Sequence, residues 1–144
     1  MEAYLIATAC TKFEKKADQT FKSLTEEVYC DLLKSAKVEN GNMIGQAWFG
    51  NCGMGTFGQN NIRGQVCFTP LVQKKLFPER VGIINVEGGC ATGSMAFHGA
   101  WKDVISGTED VSLAIGVEKI YQPNQPEKIQ EIYDGGIDQF DRNE

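Results

Sequence analysis

Residues 81–87, VGIINVE, form a mostly apolar run that ends at two glycines and a cysteine, Gly88-Gly89-Cys90. An apolar run without polar alternation is what a strand shows when helices cover its sheet on both faces, and sheets covered in that way are parallel. This run therefore selects an α/β chain, in which each strand is joined to the next through a helix.

The flanking sequence follows the same rule. Residues 3–9, AYLIATA, read as a short buried strand, and residues 18–36 read as an amphipathic helix. In that helix Phe21, Leu24, Val28 and Leu32 recur at helical spacing, Leu33 and Ala36 widen the stripe, and Asp18 is the expected N-cap. Asn40-Gly41 marks a turn, and residues 43–49, MIGQAWF, are a second strand. A glycine-rich loop, GNCGMGTFGQN, follows it. A helix is expected over about 59–68, with Pro70 ending its pattern. Residues 91–106 form a helix rich in small residues, with Gly107 as its C-cap, and residues 110–117 are a fourth strand. The expected fold is an α/β βαβαβαβ unit over residues 1–118, its mostly parallel sheet covered by helices. Residues 119–144 differ: they are polar, hold Pro123 and Pro126, and read as the start of a loop region or a linker. A chain of 144 residues, 42% hydrophobic, is long enough for one domain with a real core.

Charge and cysteine usage narrow the function classes. The net charge of −5 and the absence of a basic stripe argue against a nucleic-acid partner, since adjacent basic residues occur only as Lys15-Lys16 and Lys74-Lys75. No run approaches the roughly 18 apolar residues of a membrane span. The opening MEAYLIATAC begins with an acid and lysines follow it, the reverse of a signal peptide, so a cytoplasmic location is expected. The five cysteines, at 10, 30, 52, 67 and 90, have neither the even count of a disulfide framework nor the paired spacing of a zinc site, so no metal is expected.

The chemistry concentrates at Cys90. A buried strand ends, glycines permit a sharp reversal, and a cysteine opens a helix. A helix N-terminus offers unpaired N–H groups and the positive end of the dipole, and both favour the attacking thiolate form of a thiol. This is the logic of a nucleophile elbow with sulfur in place of oxygen. The residues alone leave two readings open, a nucleophile or a buried structural cysteine. His98 is eight residues further along the same expected helix. That is about 12 Å along the axis, too far for proton abstraction, so it reads as a packing or interface histidine.

A different class of function is kept by Gly53-Met54-Gly55-Thr56-Phe57-Gly58, which matches GxGxxG between a strand and a helix. A dinucleotide-binding oxidoreductase would use this loop, with Glu87 as the acidic residue on the ribose. Glu87 lies 29 residues beyond Gly58, against the usual ~20. The motif also follows the second strand rather than the first. A flexible connection is the simpler reading.

The stretch VEGGCATGSMAFHGAWKDVISGTEDVSLAIGVEKI resembles the thiolase signature: a strand, a nucleophilic cysteine, a helix of small residues ending in Ser-Gly, and a strand ending in Gly-Val-Glu. LIATACTKFEKK resembles that family's first strand and following loop. GNCGMGTFGQNNIRGQV resembles its glycine-rich segment, with Gly58-Gln59-Asn60 and Arg63 at the head of a helix. The GGCATGS form is most similar to the sterol-carrier-protein-type branch. The resemblance implies an acyl-CoA C-acyltransferase that makes or cleaves a carbon–carbon bond next to a thioester, with Cys90 carrying the acyl group. It further implies coenzyme A as co-substrate with no permanently bound cofactor, branched, aromatic or sterol-derived acyl-CoAs as substrates, a homodimer or higher oligomer, and a small zinc-ribbon/OB-fold partner subunit. The family's second half supplies a further cysteine and histidines; nothing in these residues matches it. The chain is therefore expected to be incomplete and inactive in turnover by itself, and a non-catalytic thiolase-like subunit stays an alternative.

Overall fold

A computed structural model of the chain describes residues 2–141. Met1 and residues 142–144, which close the two segments read from the sequence, lie outside them. Three strands are formed among the described residues: β1 (Gln46–Gly50), β2 (Gly82–Val86) and β3 (Ser112–Gly116). They make one parallel sheet in the order β2-β1-β3, with Gln46 opposite Gly82 on one side and Ser112 on the other. Four helices accompany it: α1 (Phe21–Ala36), α2 (Arg63–Gln73), α3 (Thr92–Ser106) and α4 (Lys128–Asp134). This is the α/β fold expected, with a thiolase-like order of elements.

Alternation along β1 decides what lies on each face. Ala47 and Phe49 point into the main core, which joins Leu24, Tyr29 and Leu33 of α1 to Cys67, Phe68 and Leu71 of α2 and to Leu113 and Ile115 of β3. Four aromatic rings organise that core, with Phe68 and Phe77 packed edge-on at 4.4 Å and Tyr29 edge-on to both at 5.9 Å. Burial pushes the Tyr29 phenol far above its ordinary range, and its hydroxyl donates to the Leu76 carbonyl at 3.1 Å. On the opposite face Trp48 lies under α3. Its indole N–H donates to Asp103 Oδ2 at 2.6 Å, and Ser112 Oγ donates to the same oxygen at 2.7 Å. One carboxylate thus ties α3 to both β1 and β3.

Several boundaries differ from those expected. The first helix begins at Phe21, with Thr20 rather than Asp18 as N-cap: Thr20 Oγ1 accepts the Ser23 N–H and Ser23 Oγ accepts the Thr20 N–H. This reciprocal capping box satisfies two orphan donors, more than Asp18 could do alone. Pro70 does not end α2, which runs on to Gln73. Burial of Cys67, Phe68 and Leu71 on one side of the helix outweighs the local penalty of the ring. The run 81–87 forms β2, but this strand lies at the sheet's edge and leaves Ile84 38% exposed. The reason is that α3 packs chiefly on β3 and β1.

The largest departure is at residues 3–9, which pair with no strand and leave Tyr4, Leu5 and Ile6 65–76% exposed. They run along one side of an apolar groove of about 490 Å³, whose other side is the free edge of β3 from Val111 to Gly116. A strand exists only by pairing, and residues 3–9 join no ladder of the sheet.

Close packing of α3 on β1 rests on Gly99, where an added Cβ would lie 2.4 Å from the Trp48 ring. Gly99→Ala is expected to lower stability by about 1–3 kcal/mol through overpacking. Gly93→Ala, in the same helix but with open space around it, is expected to be neutral or to stabilise by up to about 1 kcal/mol. Urea denaturation of the two variants checks both, and equal effects would contradict the packing account.

Candidate active site

Because all three strands are parallel, their C-terminal ends share one edge of the sheet, the edge at which open α/β sheets carry their ligands. Three segments leave it together: Asn51–Phe57 after β1, Glu87–Ala91 after β2, and Val117–Glu118 after β3. Glycines bring them close. An added Cβ at Gly50 would lie 2.9 Å from Thr92 Cγ2, and one at Gly116 would lie 2.8 Å from the Gly50 carbonyl oxygen.

Cys90 sits in a short 3-10 turn, Gly89–Ala91, that leads directly into α3. Gly89 takes φ +57°, a left-handed conformation that side chains disfavour, and so permits the chain to reverse out of β2. Cys90 is exposed among the described residues. The turn is held from beneath by Thr92, which is only 6% exposed. Its Oγ1 accepts the Gly88 N–H at 2.9 Å and donates to the Gly89 carbonyl at 2.7 Å.

The glycine-rich loop packs against the turn. Cys52 Sγ lies 3.0 Å from the Gly89 carbonyl oxygen and 3.0 Å from Thr92 Oγ1. Burial pushes the Cys52 thiol up, the Glu118 and Glu87 charges push it further, and the Thr92 hydroxyl and Arg63 oppose them. The loop itself is fixed by Glu118. That carboxylate accepts the Cys52 N–H at 2.9 Å, the Gly53 N–H at 3.0 Å and Asn51 Nδ2 at 2.8 Å. Asn51, 2% exposed, also donates to the Val117 carbonyl at 2.7 Å and accepts the Met54 N–H at 3.0 Å. Arg63 donates to the Asn51 carbonyl at 2.7 Å. Over this loop lies α4, with Ile132 Cδ1 at 3.2 Å from where a Gly53 Cβ would be.

These contacts bear on the dinucleotide reading of Gly53–Gly58. A pyrophosphate needs free N–H groups at such a loop. Here Gly53 to Phe57 is a 3-10 turn whose leading N–H groups, Cys52 and Gly53, are already given to Glu118, a carboxylate of the chain's own. Nothing supports that reading. Glu87 accepts the Gly89 N–H at 2.7 Å and belongs to the Cys90 turn instead. His98 stacks on Trp101 at 5.4 Å, part-way along α3, and does not join the Cys90 turn. Among the described residues no group of histidine, cysteine and carboxylate side chains is arranged to hold a metal, and no helix is long and apolar enough to cross a membrane.

Sequence reasoning singled out Cys90, and the structure adds Thr92, Cys52, Asn51 and Glu118 as the residues that hold its turn. Glu118 and Asn51 follow apolar strands directly, where a solvated residue is equally expected, so only the fold reveals their partners. Glu118→Ala is expected to leave the Cys52 and Gly53 N–H groups without their acceptor and to cost about 1–3 kcal/mol, with Glu118→Gln recovering part of it. Thermal melts of the two variants test this, and an unchanged midpoint in Glu118→Ala would contradict the clamp. The thiols should also differ: since burial raises both Cys52 and Cys67, iodoacetamide at neutral pH is expected to reach exposed Cys90 before either, by peptide mass mapping.

The sequence matches the family described as "Thiolase, N-terminal domain" over residues 3–136. It is 32% identical over 117 residues to the benzoylsuccinyl-CoA thiolase subunit BbsB of Thauera aromatica, an alignment that covers 81% of this chain and 28% of that protein. Identity to the acetyl-CoA acetyltransferase of Methanocaldococcus jannaschii is also 32% over 117 residues, again 81% of this chain and 28% of the relative. The chain thus spans under a third of the length of these relatives. With the parallel sheet, the glycine turn and the cysteine at the head of α3 all in the matched region, the chain belongs to the thiolase family.

Proposed function

We propose that this chain is the nucleophile-bearing part of an acyl-CoA C-acyltransferase. The observation that carries the reading is the Cys90 turn: an exposed thiol on a rigidly held loop at the C-terminal edge of a parallel sheet. The Cys90 thiolate attacks the carbonyl carbon of an acyl thioester, the carbon–sulfur bond to coenzyme A breaks, and coenzyme A leaves as its thiol after taking up a proton. Cys90 then carries the acyl group. Passing it to a carbon nucleophile makes a carbon–carbon bond, and the reverse sequence cleaves one. The relatives are named for benzoylsuccinyl-CoA and for acetyl-CoA, so the substrate class we assign is an acyl-CoA.

The geometry also supplies a place for the developing negative charge. Peptide groups are planar and trans, and no cis bond occurs among the described residues. The Gly89 carbonyl accepts from Thr92 and Cys52, so the N–H of the same planar peptide, that of Cys90, points the opposite way, away from them. A backbone N–H placed there can donate to the carbonyl oxygen as it becomes an oxyanion. A general base is a different matter. His98 is on the wrong part of α3, and burial keeps Cys52 in its thiol form. Taking the proton from the carbon nucleophile, and returning one to the leaving carbon in the cleavage direction, therefore falls to groups supplied by further polypeptide.

The outer side of α3 supports association. Ile84, Met95, Phe97 and Trp101 are 38–54% exposed on the α3 side of the sheet, and apolar surface of this kind marks an interface. One relative is itself named as a subunit. We assign the chain to an assembly of two or more polypeptides.

Two measurements test the reading. Incubated with acetyl-CoA, the 144-residue chain is expected to release up to one equivalent of coenzyme A and then stop, and Cys90→Ala is expected to release none. Continuing multiple turnover would show that the base lies within this chain after all, and equal release from Cys90→Ala would place the nucleophile elsewhere. Light scattering is expected to report a species larger than 15.9 kDa, and a monodisperse monomer would count against the assembly.

A further inference from the structure

The second thiol at the Cys90 turn has no role in the acyl transfer outlined above, yet its position is specific. Gly89 O collects three donors: the Thr92 N–H, Thr92 Oγ1 at 2.7 Å and Cys52 Sγ at 3.0 Å. Thr92, the first residue of α3, closes the turn from the helix side. Cys52 comes from another loop, after β1, and that loop is anchored through Glu118 and Asn51 to the end of β3. Cys52 is therefore the contact that ties the Gly89 carbonyl to the loop after β1, as Thr92 ties it to α3.

We propose that Cys52 is a positioning residue for Cys90, holding the Gly89–Cys90 peptide by its carbonyl so that the Cys90 N–H faces the oxygen of the thioester under attack. The argument has three parts. The peptide is a rigid plane, so fixing the direction of C=O fixes the direction of N–H. Hydrogen bonds accepted by an amide oxygen polarise that amide and strengthen its N–H as a donor. Burial first, then the Glu118 and Glu87 charges, raise the Cys52 thiol against the Thr92 hydroxyl and Arg63, which favours the form that can donate. A thiolate at that position would repel the carbonyl oxygen instead. The proposal rests on the acyl-transfer reading, and its test separates the two.

The experiment compares two reactions of the same sulfur. Acylation of Cys90 by acetyl-CoA develops an oxyanion. Alkylation by iodoacetamide displaces iodide at a saturated carbon and develops none. Rates of both at Cys90 are measured by peptide mass mapping in the wild type, Cys52→Ala and Cys52→Ser. With the Cys90 N–H misdirected rather than removed, Cys52→Ala is expected to slow acylation about tenfold, short of the ~10²–10³-fold of an oxyanion donor lost outright. Alkylation should keep its wild-type rate, and Cys52→Ser, which retains a donor, should recover most of the acylation. Unchanged acylation in Cys52→Ala overturns the proposal. Equal slowing of both reactions also overturns it, since that is the result of a turn that has merely loosened. A wild-type chain in which Cys90 is alkylated but never acylated would sink the acyl-transfer reading itself, and the role of Cys52 with it.

Discussion

The Glu118 carboxylate, at the end of β3, holds three donors from the loop after β1: the Cys52 and Gly53 N–H groups and the Asn51 amide. Without it those backbone groups would have no acceptor within the protein, and an unmet N–H in a partly buried loop is costly. Through this one side chain the ends of two neighbouring strands become a single platform. Cys52 stands on that platform and touches the Cys90 turn, while Thr92 braces the same turn from α3. The position of the Cys90 turn is thus set by hydrogen bonds that converge from α3 and from the loops after β1 and β3. This fits a reaction in which a fraction of an ångström in the placement of a reacting atom matters.

The division of labour in the chain follows. In the proposed reading, the described residues supply the Cys90 thiol, the Cys90 backbone N–H, and a sheet edge that holds their turn. They bring no histidine or second reactive thiolate to that edge. The exposed apolar residues on α3 and β2, and the groove between β3 and residues 3–9, lie on surfaces away from the Glu118 network. Those surfaces suit contact with further polypeptide, which is where the remaining proton-transfer groups are placed in this account.

Much of this was legible in the residues. Apolar runs separated by helical stripes indicated the parallel α/β sheet, and Gly88-Gly89-Cys90 before a small-residue helix indicated the strand-to-helix turn. Gly107 ends α3 in the left-handed conformation that a C-cap glycine permits. The failures have physical causes. Residues 3–9 have the composition of a strand, but composition does not provide an edge to pair with. Pro70 is a local helix breaker overruled by the burial of Phe68 and Leu71. The GxGxxG spacing of Gly53, Gly55 and Gly58 is that of a phosphate cradle, yet its donors are satisfied from within by a glutamate some 60 residues away in sequence (65–66 by the bonded pairs). Contacts between strand ends so far apart in the chain leave no periodic trace.

The central claim is that one turn presents the Cys90 thiol and the Cys90 N–H together to a thioester. A crystal structure of the chain after reaction with an acyl-CoA tests it most directly. The account predicts an acyl group on Cys90 Sγ, its carbonyl oxygen about 2.7–3.1 Å from the Cys90 nitrogen, with the Gly89 carbonyl still held by Thr92 and Cys52. An acyl group on another cysteine, or an acyl oxygen turned away from that N–H, would contradict it.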